Sequence, residues 1–138
     1  MPWVIDCSLA LAWGLPDEQS TKADEFFTIN HFQEVLWVPS LWCFELANGL
    51  TMGKKRKRIS DDQYFRLLRA YDTLPIHTDS HSGFDLVDTL QRVASQYELS
   101  CYEAAYLELA LRKNSGLATL DNHLANMARR AGISEVFP

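Results

Sequence analysis

Apolar positions along this chain alternate between two patterns. Trp3-Val4-Ile5, Val35-Leu36-Trp37-Val38 and Leu117-Ala118-Thr119-Leu120 are short, nearly unbroken runs that stop at a polar or turn residue, the pattern of buried strands. Pro75-Ile76-His77 is a weaker run, and Glu135-Val136-Phe137 has the length of a short edge strand. Between them lie stretches of helical periodicity. They run from Ser8 to Gly14, from Asp17 to about Phe32, from a cap at Ser40 through Leu46 and Leu50, and from Ser60 to about Leu74. A further one, from Phe84 to about Leu99, carries Leu86, Leu90, Val93 and Tyr97 on one stripe. Ser60-Asp61-Asp62-Gln63 and Ser100-Cys101-Tyr102-Glu103 have the form of capping boxes. The second opens a helix to about Asn114, and a last helix runs from Asp121 or Asn122 to Ala131, closed by Gly132.

Short buried strands alternating with helices predict an α/β fold with a short, mostly parallel sheet covered on both faces. The chain has 138 residues, one domain's length, with no internal repeat and no low-complexity linker; a single domain over 1–138 is expected. With 47% hydrophobic and 22% charged residues it has globular composition. No run is long enough to cross a bilayer and no basic segment precedes the first apolar run, so a cytoplasmic protein with no membrane contact is expected. Cys7, Cys43 and Cys101 are odd in number and far apart, which suggests neither a disulfide framework nor a zinc site. A net charge of −5 argues against holding nucleic acid by bulk charge alone. It leaves open a grip through metal ions and a local basic patch.

Parallel sheets bind ligands beyond the carboxyl ends of their strands. Asp6 follows the first strand and Asp121 the strand at 117–120. Glu45 lies in the helix after the second strand, among Leu41, Trp42, Phe44, Leu46 and Ala47, and Glu103 lies in the first turn after Ser100. Converging carboxylates repel one another, and a hard divalent cation relieves that repulsion. Each acid also has a local reading: Asp6 as a strand end, Asp121 as an N-cap, Glu45 as a solvated helix residue, Glu103 as half of a capping box.

These residues fall into blocks that resemble the PIN domains of VapC-type toxins. Val4-Ile5-Asp6-Cys7-Ser8 with Leu9 to Trp13 is similar to the family's opening, and Pro16-Asp17-Glu18 to the segment after it. Pro39-Ser40-Leu41 leading to Glu45-Leu46-Ala47-Asn48-Gly49-Leu50 resembles the second block. Leu99 to Tyr106 resembles the third, and Leu117 to Asp121 with Leu124 and Ala128–Gly132 the fourth. The resemblance implies a three-layer α/β/α fold and a Mg²⁺- or Mn²⁺-dependent endoribonuclease that leaves a 5′-phosphate and a 3′-hydroxyl. It further implies a homodimer and a cognate antitoxin. By position the metal-binding, catalytic acids are Asp6, Glu45, Glu103 and Asp121. Ser8 and Thr119 match hydroxyl residues that orient them, and Asn48 matches a supporting asparagine. The family carries aspartate where this chain has Glu103. The longer side chain either still ligates or serves only the capping box, so Asp6, Glu45 and Asp121 rank above it. The rival reading is a PIN-like domain that binds RNA or a protein without cutting. A phosphoacceptor domain or a haloacid-dehalogenase-like phosphatase fits poorly, because Cys7-Ser8 follows Asp6 where a further acid is needed.

Lys54-Lys55-Arg56-Lys57-Arg58 holds five of the thirteen basic residues. It reads equally as an arm for RNA phosphates near the acids or as a solvated helix end. His77 and His81 read as ordinary loop histidines, and His31 and His123 as surface residues. Trp13, Leu15, Phe26, Phe27 and Phe32 exceed what one side of a small core needs, and part of that surface is expected to be an interface.

Overall fold

The computed structural model describes residues 1–18, 20–30 and 34–138. Five strands form one parallel sheet: β1 (Trp3–Ile5), β2 (Leu36–Val38), β3 (Ile76–Thr78), β4 (Gly116–Ala118) and β5 (Val136–Phe137), in the order β3-β2-β1-β4-β5. The chain steps from β1 outward to β2 and β3, then returns to lay β4 on the other side of β1. The strand order therefore reverses between β1 and β4, which opens a crevice beyond their carboxyl ends.

Helices cover both faces. α1 (Cys7–Gly14), α2 (Thr21–Asn30), α3 (Ser40–Lys55) and α4 (Asp61–Asp72) pack against one another; α5 (Phe84–Tyr97), α6 (Cys101–Lys113) and α7 (Asn122–Arg130) form the second group. The expected three-layer α/β/α architecture is thus observed. α6 is the most deeply set helix. It lies between the sheet and α5, and every residue from Ala104 to Ala110 is buried. In the central strands Val4, Ile5, Leu117 and Ala118 are fully buried, which explains why they read as continuous apolar runs rather than as alternation. Trp3 pairs with Gly116 across β1 and β4, and a Cβ at Gly116 would meet the Trp3 ring at 2.6 Å. A side chain there displaces either the ring or the strand.

Both capping boxes form as read from the sequence, and Gly132 adopts φ +92° after α7. Some boundaries differ. α2 begins at Thr21, with Ser20 Oγ accepting from the Ala23 amide at 3.1 Å. Asp17 and Glu18 do not enter it; they grip Arg58 instead, at 2.6 and 3.1 Å. The expected end of α2 at Phe32 lies outside the described residues, as does His31. Ser40 is the first residue of α3, not its cap; that position belongs to Pro39, which makes no side-chain cap bond. β4 ends at Ala118, and Thr119 and Leu120 already form the turn into α7. The supposed surplus of aromatic surface is core. Leu15, Phe26 and Phe27 are buried, and Trp13 packs against Phe27 and Tyr71. No helix among the described residues is long and apolar enough to cross a membrane.

Candidate active site at the sheet switch point

Asp6 leaves β1 with its amide still in the sheet, donating to the Ala118 carbonyl at 3.1 Å. Its side chain then caps α1. Oδ1 accepts from the Leu9 amide at 3.1 Å and from Ser8 Oγ at 2.7 Å, and Oδ2 accepts from the Thr119 hydroxyl. The carboxylate is only 6% exposed. Burial pushes its pKa up; the hydrogen bonds from Thr119, Ser8 and Leu9 oppose that, and the charge of Asp121 adds to it. Thr119, fully buried, also accepts from the Asp121 amide at 2.9 Å, and Ser8 Oγ accepts from the Leu120 amide at 3.3 Å. Two hydroxyls thus lace the β1 turn to the β4 turn.

Asp121 caps α7, with Oδ1 accepting from the His123 and Leu124 amides at 2.9 and 3.1 Å. Glu103 sits at the third position of α6, where Oε1 accepts from the Ser100 amide at 3.0 Å. Glu45 lies in the second turn of α3, half-buried, and its Oε1 accepts from the Tyr106 hydroxyl. Asp6, Glu45, Glu103 and Asp121, with Ser8, Tyr102 and Tyr106, line one crevice of about 170 Å³. The amino-terminal ends of α1, α6 and α7 meet there, and their partial positive charges favour the acids. Glu103 completes its capping box and also lines the crevice.

Among the described residues none of these four carboxylates has a basic partner. Glu45 Oε2, Glu103 Oε2 and Asp121 Oδ2 carry no hydrogen bond among the described residues either. No three carboxylate, imidazole or thiol groups among them are drawn close enough to chelate an ion as they stand. The donor set is nonetheless that of a hard divalent cation: carboxylate oxygens without soft ligands, and negative charge that nothing basic offsets. Cys7 lines the same crevice, but burial, then the charges of Glu45 and Asp6, pushes its thiol up to about 12. A thiol raised in this way is a poor nucleophile.

Other expected residues lie elsewhere. Asn48 is exposed and makes no hydrogen bond to Glu45. The basic run begins at the far end of α3, with Lys54 nine residues, about 14 Å of helix, from Glu45. Two of its members are engaged. Lys54 pairs with Asp61 at 3.0 Å and lies over the Tyr64 ring, and Arg58 is held by Asp17 and Glu18. Lys55, Arg56 and Lys57 are exposed. The run does not line the acidic crevice. His77 lies against Trp37, and His123 Nε2 meets the Glu98 carbonyl at 2.9 Å.

Two features escaped the sequence reading. Tyr106, three residues after Glu103 and so on the same helical face, holds Glu45. Burial, then the hydrogen bond to Glu45, pushes its phenol up, so it remains a donor. Arg112 holds Glu108 at 2.8 Å and Asp79 at 2.6 Å, with His81 Nδ1 4.0 Å from Glu108. The Glu108–Arg112 spacing was a visible signal; the Asp79 contact, 33 residues distant, was not.

Fold and crevice define a small parallel α/β/α domain with acids gathered at its switch point. No family model matches the chain. Ribonuclease VapC3 of Pyrobaculum aerophilum is 28% identical over 125 residues, 91% of this chain and 93% of that protein. Among solved structures, PAE2754 from Pyrobaculum aerophilum gives a TM-score of 0.68 at 20% identity, covering 99% of this chain and 83% of that one. A toxin–antitoxin complex from Klebsiella pneumoniae gives 0.61 at 17% identity, covering 98% and 95%. The chain shares its fold with these two solved structures and is similar in sequence to a VapC ribonuclease over nearly its whole length.

Proposed function

We propose that this chain is a divalent-metal-dependent endoribonuclease, the toxin of a toxin–antitoxin pair, acting in the cytoplasm as a single domain. The observation that carries this reading is the crevice. Four carboxylates from four separate elements line it, and no basic side chain among the described residues pairs with them. The likeness to Ribonuclease VapC3 supports the substrate class. The Klebsiella pneumoniae neighbour, solved as a toxin–antitoxin complex, supports an antitoxin partner. A homodimer is part of the proposal.

Asp6, Glu45 and Asp121, with Glu103, would hold Mg²⁺ or Mn²⁺. Such a cation supplies charge neutralisation at the scissile phosphate and acidifies water so that it attacks at neutral pH. The chain's own groups set the stage. Ser8 and Thr119 fix both oxygens of Asp6, so that acid cannot swing away. Tyr106 fixes one oxygen of Glu45. Glu45 Oε2, Glu103 Oε2 and Asp121 Oδ2 are left to ligate or to take up the proton that the attacking water gives up. Lys55, Arg56 and Lys57 lie too far from the crevice to touch the scissile phosphate; they are proposed to hold RNA backbone further along the strand.

Two observations favour the second reading, a domain that binds without cutting: Glu103 Oε1 is committed to the capping box, and among the described residues the acids are not drawn into a tight cluster. Cleavage of total cellular RNA in Mn²⁺, with and without chelator and beside Asp6→Asn, decides between them. Chelator-sensitive cutting that Asp6→Asn abolishes supports the nuclease. Equal cutting by the variant, or none by either protein, overturns it.

A further inference from the structure

A second concavity adjoins the acidic crevice. It is a slot of about 220 Å³ walled by Leu41 of α3, Leu86 and Leu90 of α5, and Tyr102, Ala105 and Leu109 of α6. Tyr102 lines the slot and the crevice alike and is 67% exposed. Pro39 and Ser40 follow β2 and Asp79 and His81 follow β3, so the slot lies beyond the carboxyl ends of those strands. That is the side of the sheet on which Asp6 and Asp121 follow β1 and β4.

The slot is smaller than the roughly 300–1,000 Å³ of pockets that take drug-sized ligands, and its walls are mostly hydrocarbon. Besides Pro39, Ser40 and Cys101, the rest of its lining is Asp79, Glu108 and His81. Asp79 and Glu108 share Arg112, so the group carries no surplus positive charge to attract a phosphate. His81 lines the slot with its side chain 31% exposed; its Nδ1 is closed off from solvent and 4.0 Å from Glu108 Oε1, so the rest of the ring is what meets an occupant. An occupant must be flat or small, mostly apolar in contact, not anionic, and able to hydrogen-bond at one edge. A purely hydrocarbon side chain lacks that edge, and a phosphate carries the wrong charge.

We propose that this slot seats a nucleobase of single-stranded RNA, from a nucleotide beside the scissile phosphate, with Tyr102 as its stacking partner and the exposed part of the His81 ring contacting its edge. The proposal rests on the nuclease reading above, because that reading puts a phosphate next to Tyr102. Unpaired RNA bases are commonly held by aromatic stacking plus hydrogen bonds to their edges. The slot makes Tyr102 and His81 specificity-determining residues of the same site.

The test uses the full chain and labelled RNA pentanucleotides, intact or with one base removed at each position in turn. Binding is read by fluorescence anisotropy in EDTA, where nothing is cut, and cleavage is read separately in Mn²⁺. The expected result is that base removal at one position weakens wild-type binding about tenfold, within the range seen for one stacked base. Tyr102→Ala, at an exposed position, should bind intact RNA about tenfold more weakly and be indifferent to base removal. His81→Ala should keep the loss on base removal but lose any preference among the four bases there. Wild-type binding that is indifferent to base removal at every position overturns the proposal and gives the slot to an apolar side chain of a protein partner. Base-dependent binding without cutting in Mn²⁺ overturns the nuclease reading but not the slot; cutting without base-dependent binding does the reverse.

Discussion

Replacing Tyr106 by phenylalanine isolates what holds Glu45 in place. The ring is 3% exposed and stays, so the perturbation is one hydroxyl and leaves no cavity larger than an oxygen atom. What is lost is a hydrogen bond from that hydroxyl to Glu45 Oε1, and bonds to charged groups contribute about 1.5–3 kcal/mol. Glu45 is half-buried and can turn toward water, so the cost to folding falls at the lower end, about 1.5 kcal/mol. The cost to a bound cation is larger in kind, because a freed Glu45 must be re-ordered each time it ligates. Loss of a group that orients a ligand typically weakens metal binding roughly 10–100-fold, matching about the same 1.5–3 kcal/mol at roughly 1.4 kcal/mol per factor of ten. The assay is Mn²⁺ titration by electron paramagnetic resonance on wild type, Tyr106→Phe, Glu45→Gln and the double variant, with melting curves in EDTA alongside. Tyr106→Phe should bind Mn²⁺ at least tenfold more weakly while melting within a few degrees of wild type. In the Glu45→Gln background it should cost little more, because there is no carboxylate left to orient. Mn²⁺ binding by Tyr106→Phe equal to wild type would refute the reasoning, and an undiminished loss in the Glu45→Gln background would reduce Tyr106 to packing.

Asp6→Asn removes a carboxylate that is 6% exposed and desolvated. Melting in EDTA should rise by about 1 kcal/mol of stability even as cutting is lost, a trade common where active sites hold unfavourable charge; calorimetry that shows a lower melting point counts against it. The Arg112 cluster carries a pH signature. Arg112 holds the Asp79 carboxyl below the usual range, so this pair stabilises the fold above the ordinary aspartate pKa and that contribution is lost as pH falls through the lowered one. Arg112→Ala should cost about 1–3 kcal/mol at pH 7, because Asp79 and the buried Glu108 lose their partner, and less once pH falls through the lowered Asp79 value; urea melts at falling pH check the sign. Reversing Lys55, Arg56 and Lys57 to glutamate should weaken RNA binding uniformly across sequences and lower the salt dependence by about 3 charges, while leaving cut positions unchanged. A shift in cut positions would place the run at the crevice after all.

What could be read along the chain was whatever neighbours in sequence enforce. Ser60 with Gln63 and Ser100 with Glu103 form caps because the partners lie three residues apart, and backbone geometry brings them together whatever the fold. The buried strands showed as apolar runs because both faces of Val4, Ile5 and Leu117 are covered. Even Asp6 and Asp121 could be placed after strands, since a parallel sheet directs attention there. Other matters needed the packed chain. Leu15, Phe26 and Phe27 read as surplus surface until the helices closed over them. Asp17 and Glu18 read as the first turn of a helix until Arg58, some forty residues on, claimed them.

The strand order is the deepest of these decisions. Only laying β4 beside β1 lets Thr119 reach Asp6 across 113 residues, and only packing α6 beside α3 lets Tyr106 reach Glu45 across 61. Local propensity carries no information about such pairings, because they depend on which buried surfaces fit one another once the chain has collapsed. The types and approximate places of the acids were therefore a property of the sequence. Their meeting in one crevice, the hydroxyls that hold them, and the turning of the basic run away from it were settled by tertiary packing.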